Sequence, residues 1–240
     1  MTFDVQIVTP AHNEGESIGE TLVDFLKVTA DDGIRVCFIV SEDGSSDNTC
    51  EVVMNVANRH PVQLLSAPNR KGYSRAVIDG LKMTTCDVVG FIDSDGQCDP
   101  SSLKELWRAM TPDVDLVIGY RHPRNDPAVR RAMSCLFRLA YQSLFPVRLK
   151  DPSSPYLLIR RVKLEQMQRE SWGILTQGFW WEFYARANAA GLRYVEVPVR
   201  HRPRSAGRTQ VYRAGRVTGI AIAHLRGLFV LRAVIEKEYG

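Results

Sequence analysis

Apolar and polar positions along the first half of the chain fall into blocks of two kinds. Short runs rich in β-branched and apolar residues stand at Val5–Thr9, Arg35–Ser41, Gln63–Ser66, Val88–Ile92 and Leu116–Gly119. Between them lie helical patterns at about Glu16–Val28, Asp47–Asn58, Gly72–Met83 and Ser101–Met110. Apolar strands alternating with helix-length segments predict an α/β fold, a mostly parallel sheet flanked by helices on both faces. The second half is less regular. Helical patterns at Val129–Phe145, Val162–Arg169 and Trp180–Ala190 mix with strands at Tyr156–Ile159 and Tyr194–Val199, an arginine-rich loop from His201 to Arg208, and a long helical pattern over Val211–Glu238. No repeat or Gly/Ser linker interrupts the 240 residues, so a single domain is expected, with parts at 1–120, 121–210 and a C-terminal helix at 211–240.

In a parallel sheet ligands bind beyond the carboxyl ends of the strands. Here those ends are polar: Pro10-Ala11-His12-Asn13-Glu14 after the first strand, Glu42-Asp43-Gly44-Ser45-Ser46-Asp47 after the second, Asp93-Ser94-Asp95-Gly96-Gln97 after the fourth, and Tyr120-Arg121 after the fifth. Two carboxylates leaving a buried strand repel each other and lose hydration unless a cation joins them. Asp93 and Asp95, with Gln97 as a neutral oxygen, therefore suit Mg²⁺ or Mn²⁺, hard cations that also bind substrate phosphates. A solvated Asp-Ser-Gly turn is the plainer alternative. Ser46 or Asp47 suits a helix cap, but capping leaves Glu42 and Asp43 unexplained. Acids at a strand end can accept hydrogen bonds from a base or ribose hydroxyl. Gly72, within Asn69-Arg70-Lys71-Gly72-Tyr73-Ser74-Arg75, stands at a helix start where backbone amides can approach phosphate; Ala76 and Gly80 follow as small residues inside that helix.

Composition sharpens the division of labour. Residues 1–120 hold 9 Lys/Arg against 19 Asp/Glu, and residues 121–240 hold 22 against 8. An acidic half that coordinates metal and a basic half that meets phosphates or an anionic membrane surface is one reading; two solvated faces is the other. The arginines are not interleaved with a stacking platform, which argues against nucleic acid. Five dispersed cysteines form no Cys-x-x-Cys pair, so a reducing cytoplasm is expected, and Met1 to Pro10 reads as a strand, not a signal peptide.

In the second half, Glu182 stands among Trp180, Trp181 and Phe183, where a carboxylate needs a partner and the aromatics read as core. Arg200, Arg202, Arg204 and Arg208, with His201, Pro203 and Gly207, form a shaped loop that suits an anion. The final apolar stretch, Ile220–Ile235, contains Arg226 and Arg232; at about 2.5–3.5 kcal/mol for each arginine at a bilayer centre, spanning is disfavoured. Packing on the domain, a partner helix and a membrane interface remain open for it.

Taken in order, these motifs resemble the family 2 glycosyltransferases, and within them the dolichol- and polyprenyl-phosphate mannosyl- or glucosyltransferases. The resemblance covers roughly residues 4 to 210 and also draws on Asp151-Pro152-Ser153-Ser154 and Gly191…Val195-Glu196-Val197-Pro198. It implies a GT-A fold, with Pro10, His12, Glu14, Glu42, Asp43 and Gly72 around the nucleotide-sugar donor, and Asp93, Asp95 and Gln97 on metal and diphosphate. It implies catalytic roles for Asp95, Arg121 and Arg204, and acceptor or phosphate contacts for Arg131, Ser154, Glu182 and Arg202. The chain departs from the family pattern at Glu42, usually Asp, at Ser154-Pro155-Tyr156, usually Ser-Gly-Phe, and at Thr209-Gln210, where a lysine is usual. The implied reaction is transfer of a hexose, with inversion, from a GDP-mannose or UDP-glucose type of donor to a lipid phosphate at the cytoplasmic membrane face. A soluble hydroxyl acceptor would need a base, for which Glu182 and Asp151 are the candidates. An idle nucleotide-binding scaffold is the non-enzymatic alternative.

Overall fold

The computed structural model describes residues 2–123, 128–171, 178–203 and 217–239. In the first half, β1 (Val5–Ala11), α1 (Ile18–Asp31), β2 (Val36–Glu42), α2 (Thr49–Ala57), β3 (Val62–Leu65), α3 (Tyr73–Lys82) and β4 (Val88–Phe91) alternate as the pattern predicts. A 3-10 turn at Pro100–Ser102 leads into α4 (Leu103–Ala109), followed by β5 (Leu116–Arg121) and α5 (Ala128–Leu144). The rest comprises β6 (Leu157–Arg160), α6 (Arg161–Ser171), α7 (Phe179–Ala189), β7 (Tyr194–Val199) and α8 (Val217–Tyr239). The expected start of the last helix, 211–216, lies outside the described residues, as do Arg204, Gly207, Arg208 and Thr209.

The strands form one seven-stranded sheet in the order β3-β2-β1-β4-β6-β5-β7. β1 runs parallel to β2 and β4, and β5 parallel to β7, while β6 lies antiparallel between β4 and β5. With β3 parallel to β2, six strands point the same way and their carboxyl ends share one edge. This is the mostly parallel, helix-flanked sheet of a GT-A fold.

Alternation along the strands divides the core in two. Ile7, Phe38, Val40, Val117 and Leu158 face one cluster with Ile18, Leu22, Phe25, Leu103 and Leu106 of α1 and α4. Their neighbours Val8, Ile39, Leu116, Ile118, Leu157 and Ile159 face the other, built with α3, α5 and α7. The period of two thus becomes two helix layers on opposite faces. Gly80 has a packing reason: a Cβ there would stand 2.6 Å from Cγ1 of Val8, so α3 lies close against β1.

On the second face α7 is buried on all sides from Phe179 to Ala187, which suits a helix without a polar stripe. Its one acid, Glu182, is 1% exposed and accepts from Nε of Arg186 at 3.0 Å, while Nη1 of Arg186 donates to Glu238 of α8 at 2.8 Å. Tyr141 of α5 donates to the Trp181 carbonyl at 3.0 Å, and Tyr184 donates to the Ser154 carbonyl at 2.6 Å. α7 therefore fastens α5, α8 and the loop before β6 to the sheet.

At the carboxyl edge the loops lock to one another. Asn13, at φ 55°, donates its amide to Oγ of Ser45 at 3.0 Å and accepts from the Ser46 amide at 2.8 Å. Glu42, 1% exposed, accepts from the Ser45 amide and from Oγ of Ser66. Gly44, at φ +64°, leaves room for residues 69 and 70, since a Cβ would stand 2.4 Å from the Arg70 nitrogen.

Two outcomes follow. Glu182→Ala leaves Arg186 buried without that carboxylate, and urea unfolding should show a loss of about 3 kcal/mol. For Glu42, burial raises the carboxyl pKa, but the Ser45 amide and hydroxyl and the Ser66 hydroxyl outweigh it and leave the pKa below its ordinary value. A lowered pKa contributes stability that is whole above the unfolded value of about 4.3 and is lost as pH falls through the folded one. The stability gap between the wild type and Glu42→Gln should therefore be widest near neutrality and narrow progressively below that value in acid unfolding curves.

Candidate active site

The order of strands reverses between β1 and β4, with β2 and β3 on one side and β6, β5 and β7 on the other. In open α/β sheets such a switch point opens a crevice at the carboxyl edge. The β1 loop (Pro10 to Glu14) and the β4 loop (Asp93 to Gln97) stand astride it. Nδ1 of His12 lies 2.9 Å from the Asp43 carbonyl, and Oε2 of Glu14 accepts from Oγ of Ser17 at 3.0 Å. The Asp43 carboxylate, 3% exposed, accepts from the Lys71 and Gly72 amides, the latter at 2.9 Å from Oδ2. The amide of Gly72 thus holds the protein's own acid.

Asp93 and Asp95 follow β4 directly. Asp95 is buried and Asp93 half-buried, and Gly96, at φ +74°, turns the chain after them. Each carboxylate is oriented through Oδ1. Asp95 accepts from the Gln97 amide at 3.1 Å, and Asp93 accepts from the Tyr73 hydroxyl at 2.8 Å. Tyr73 in turn accepts from the indole Nε1 of Trp180 at 2.8 Å. Burial of the Tyr73 hydroxyl and the nearby charge of Asp93 push its pKa well above the ordinary value, so it stays protonated and donates. Tyr73 as a residue is nevertheless 41% exposed, and its bond to Asp93 lies at the surface.

Gln97 ties this loop to the chain after β7. Its carbonyl accepts from the Arg202 amide at 2.9 Å, and its Nε2 donates to the Arg202 carbonyl at 3.4 Å. The side chain of Arg202 reaches Oδ2 of Asp24 at 2.6 Å and Oδ1 of Asp99 at 3.1 Å. Arg121, at the end of β5, makes a bidentate pair with Asp151 at 2.6 and 2.9 Å and meets Oγ of Ser153 at 3.0 Å. β4 and β5 run the same way, each antiparallel to β6, so Asp93 and Asp95 after β4 and Arg121 at the end of β5 share one edge.

The structure places the expected acceptor residues less uniformly. Ser154 is wholly buried, and its Oγ lies 3.4 Å from the Tyr156 amide, so it shapes the turn and lies out of reach of an acceptor. Glu182 is likewise enclosed and paired with Arg186. Arg131 is exposed on α5, and Arg204 lies outside the described residues. Tyr73 and Trp180 were not expected: Trp180 reads as core, and only the need of a buried indole N–H for an acceptor hints at more.

Among the described residues no group of three or more His, Cys, Asp and Glu side chains converges as a metal cage. A cation at Asp93 and Asp95 would take these carboxylates, the Gln97 amide oxygen, waters and ligand phosphate, a hard, all-oxygen set that fits Mg²⁺ or Mn²⁺.

Comparison with known proteins places the chain in a family. The chain is 32% identical over 228 residues to an uncharacterized glycosyltransferase of Mycobacterium tuberculosis (strain ATCC 25618 / H37Rv), covering 92% of this chain and 94% of that one. It is 28% identical over 174 residues to the dolichol-phosphate mannosyltransferase of Pyrococcus furiosus, a match that covers 68% of this chain and 48% of the relative. In fold it is similar to glucosyl-3-phosphoglycerate synthase from Mycobacterium tuberculosis, solved with Mn²⁺, UDP-glucose and phosphoglyceric acid, at a TM-score of 0.72 and 19% identity, over 96% of this chain and 80% of that one. Residues 6–215 match the family described as Glycosyl transferase family 2. The chain belongs to that family and is a glycosyltransferase.

Proposed function

We propose that this glycosyltransferase moves a hexose, with inversion, from a nucleotide sugar of the GDP-mannose or UDP-glucose type to a polyprenyl or dolichyl phosphate, with Mg²⁺ or Mn²⁺ at Asp93, Asp95 and Gln97. One observation carries the choice of acceptor. The two acids that would serve as a base toward a hydroxyl, Glu182 and Asp151, are each enclosed and bound to an arginine. A carboxylate enclosed against a guanidinium is not placed within reach of an acceptor hydroxyl. A phosphate acceptor arrives already ionised and needs no base, so the residues left to act are those that position and neutralise.

In this reading Pro10, His12, Glu14, Glu42 and Asp43 frame the nucleoside, some through the loops they brace. The bound metal would supply charge neutralisation on the leaving diphosphate. An acceptor phosphate oxygen attacks the anomeric carbon, the bond from that carbon to the donor phosphate oxygen breaks, and its electron pair leaves with the nucleoside diphosphate. Arg121 stands at the same edge with part of its charge held by Asp151, which lets it orient an anion without fully quenching it. Arg131 and Arg204 are the further candidates for phosphate contact.

The helices α5 and α8 support a lipid acceptor. They adjoin through Nη1 of Arg232 on the Leu144 carbonyl at 2.9 Å and through Phe137 and His224, with ring centroids 5.8 Å apart. Residues 128–144 and 217–235 contain no Asp or Glu. Leu136, Leu139, Ile222, Leu225, Phe229 and Val230 are exposed on them, beside exposed Arg131 and Arg226. Apolar side chains among cations suit the interface of an anionic bilayer. Among the described residues no helix is long and apolar enough to cross one.

The test supplies GDP-mannose or UDP-glucose with undecaprenyl phosphate, or with a panel of soluble hydroxyl acceptors, and follows sugar into the organic phase. Lipid-linked product that disappears on chelation, and falls by about 100-fold or more in the Asp93→Asn, Asp95→Asn double variant, is expected. Transfer to soluble hydroxyls alone would overturn the acceptor, and full activity of the double variant under chelation would overturn the metal.

A further inference from the structure

Asp93 is held by a side chain from another part of the chain, and the direction of that contact is fixed by chemistry. An indole N–H can only donate, so Trp180 must give its hydrogen to the Tyr73 oxygen. An ionised carboxylate can only accept, so the Tyr73 hydrogen must go to Asp93. The order Trp180 to Tyr73 to Asp93, with both contacts at 2.8 Å, has one polarity and no rotamer that reverses it. Each bond in such a chain polarises the next.

The relay is also mechanically anchored. Trp180 is 7% exposed on the first turn of α7, with its ring edge-on to Phe91 at 5.2 Å and to Phe179 at 4.7 Å. Phe91 is the last residue of β4, two positions before Asp93. The ring of Trp180 therefore rests on the strand that delivers the carboxylate it orients. Tyr73 opens α3, immediately after Gly72, whose amide holds Asp43. One hydroxyl thus joins the start of α3, the start of α7 and the loop after β4.

We propose that Tyr73, fixed by Trp180, is a positioning residue for the metal end of the donor site, fixing the orientation of Asp93 through Oδ1. The proposal rests on the reading of Asp93 and Asp95 as metal ligands. The two carboxylates accept through Oδ1 from different donors, Asp95 from the Gln97 amide of its own loop and Asp93 from the Tyr73 hydroxyl, so a change at Tyr73 acts directly on Asp93. Outer partners of ligating carboxylates typically change metal affinity by about 10–100-fold when removed.

The experiment titrates Mn²⁺ against the full chain in the presence of UDP or GDP and reads free Mn²⁺ by electron paramagnetic resonance. Melting curves without metal and circular dichroism run alongside, so that loss of fold is separated from loss of affinity. Tyr73→Phe should fold and weaken Mn²⁺ binding by about 10–100-fold. Trp180→Phe, which keeps an aromatic ring against Phe91, should weaken it in the same direction by a smaller factor. The double variant should bind no more weakly than Tyr73→Phe, because the indole acts only through the hydroxyl. Unchanged affinity in either folded single variant, or independent multiplying effects in the double, would overturn the relay. A wild type that leaves Mn²⁺ free with both nucleotides would instead overturn the metal reading, and the relay with it. If Tyr73→Phe does not fold, the Trp180→Phe titration decides alone.

Discussion

A carboxylate delivered by a buried strand to the edge of a sheet must find hydrogen-bond donors there, and this one demand organises the carboxyl edge of the molecule. Six parallel strand ends bring Glu42, Asp43, Asp93 and Asp95 toward one crevice, and the desolvation they suffer is met locally. Glu42 takes the Ser45 amide and the Ser66 hydroxyl, and Asp43 takes the amides of Lys71 and Gly72. Those bonds join the loops after β2 and before α3 into one wall. The same acids that suit a nucleoside are therefore the rivets of the site, and binding and stability are coupled at them.

A second group of acids is met by full charges. Asp99 and Asp24 share Arg202, Asp151 holds Arg121, and Glu182 holds Arg186. Asp93 and Asp95 accept from a tyrosine hydroxyl and a backbone amide. A guanidinium in the same position would compete with a divalent ion for the same oxygens; a hydroxyl orients without neutralising.

Much of this was readable in the sequence, for a physical reason. Strand alternation, helix length and the polar residues after each strand are local properties, so the α/β rhythm and the four polar strand ends stand in the order of the residues. Element bounds shift by only a few positions; Val5–Thr9, for example, continues to Ala11. What was not readable depends on partners distant along the chain. The reversed direction of β6 is set by its place between β4 and β5, since Leu157–Arg160 carries no directional signal. Arg121 and Arg202 have the residue type of phosphate binders, but their carboxylate partners are 30 and 178 positions away. Trp180 and Tyr73 are separated by 107 positions. Ser154 sits in a motif that suggests contact with an acceptor, yet the turn it belongs to folds it inward under Tyr184.

The contrast between an acidic first half and a basic second half then takes a different meaning. Among the described residues, several arginines of the second half are paired within the fold. Arg186 and Arg202 are drawn into the fold by acids, Arg121 is shared between Asp151 and the crevice, and Arg193 closes on Asp115 at 3.2 Å. Charge that is already paired contributes little to attracting a phosphate at a distance, whereas charge on an acid-free surface keeps its field. Arg131 and Arg226 are exposed on α5 and α8, within stretches (128–144 and 217–235) that carry no Asp or Glu, among exposed leucines and Phe229. In the proposed donor site, selection would fall to geometry: which oxygens reach Asp93 and Asp95, and how firmly Trp180 and Tyr73 hold the first of them in place.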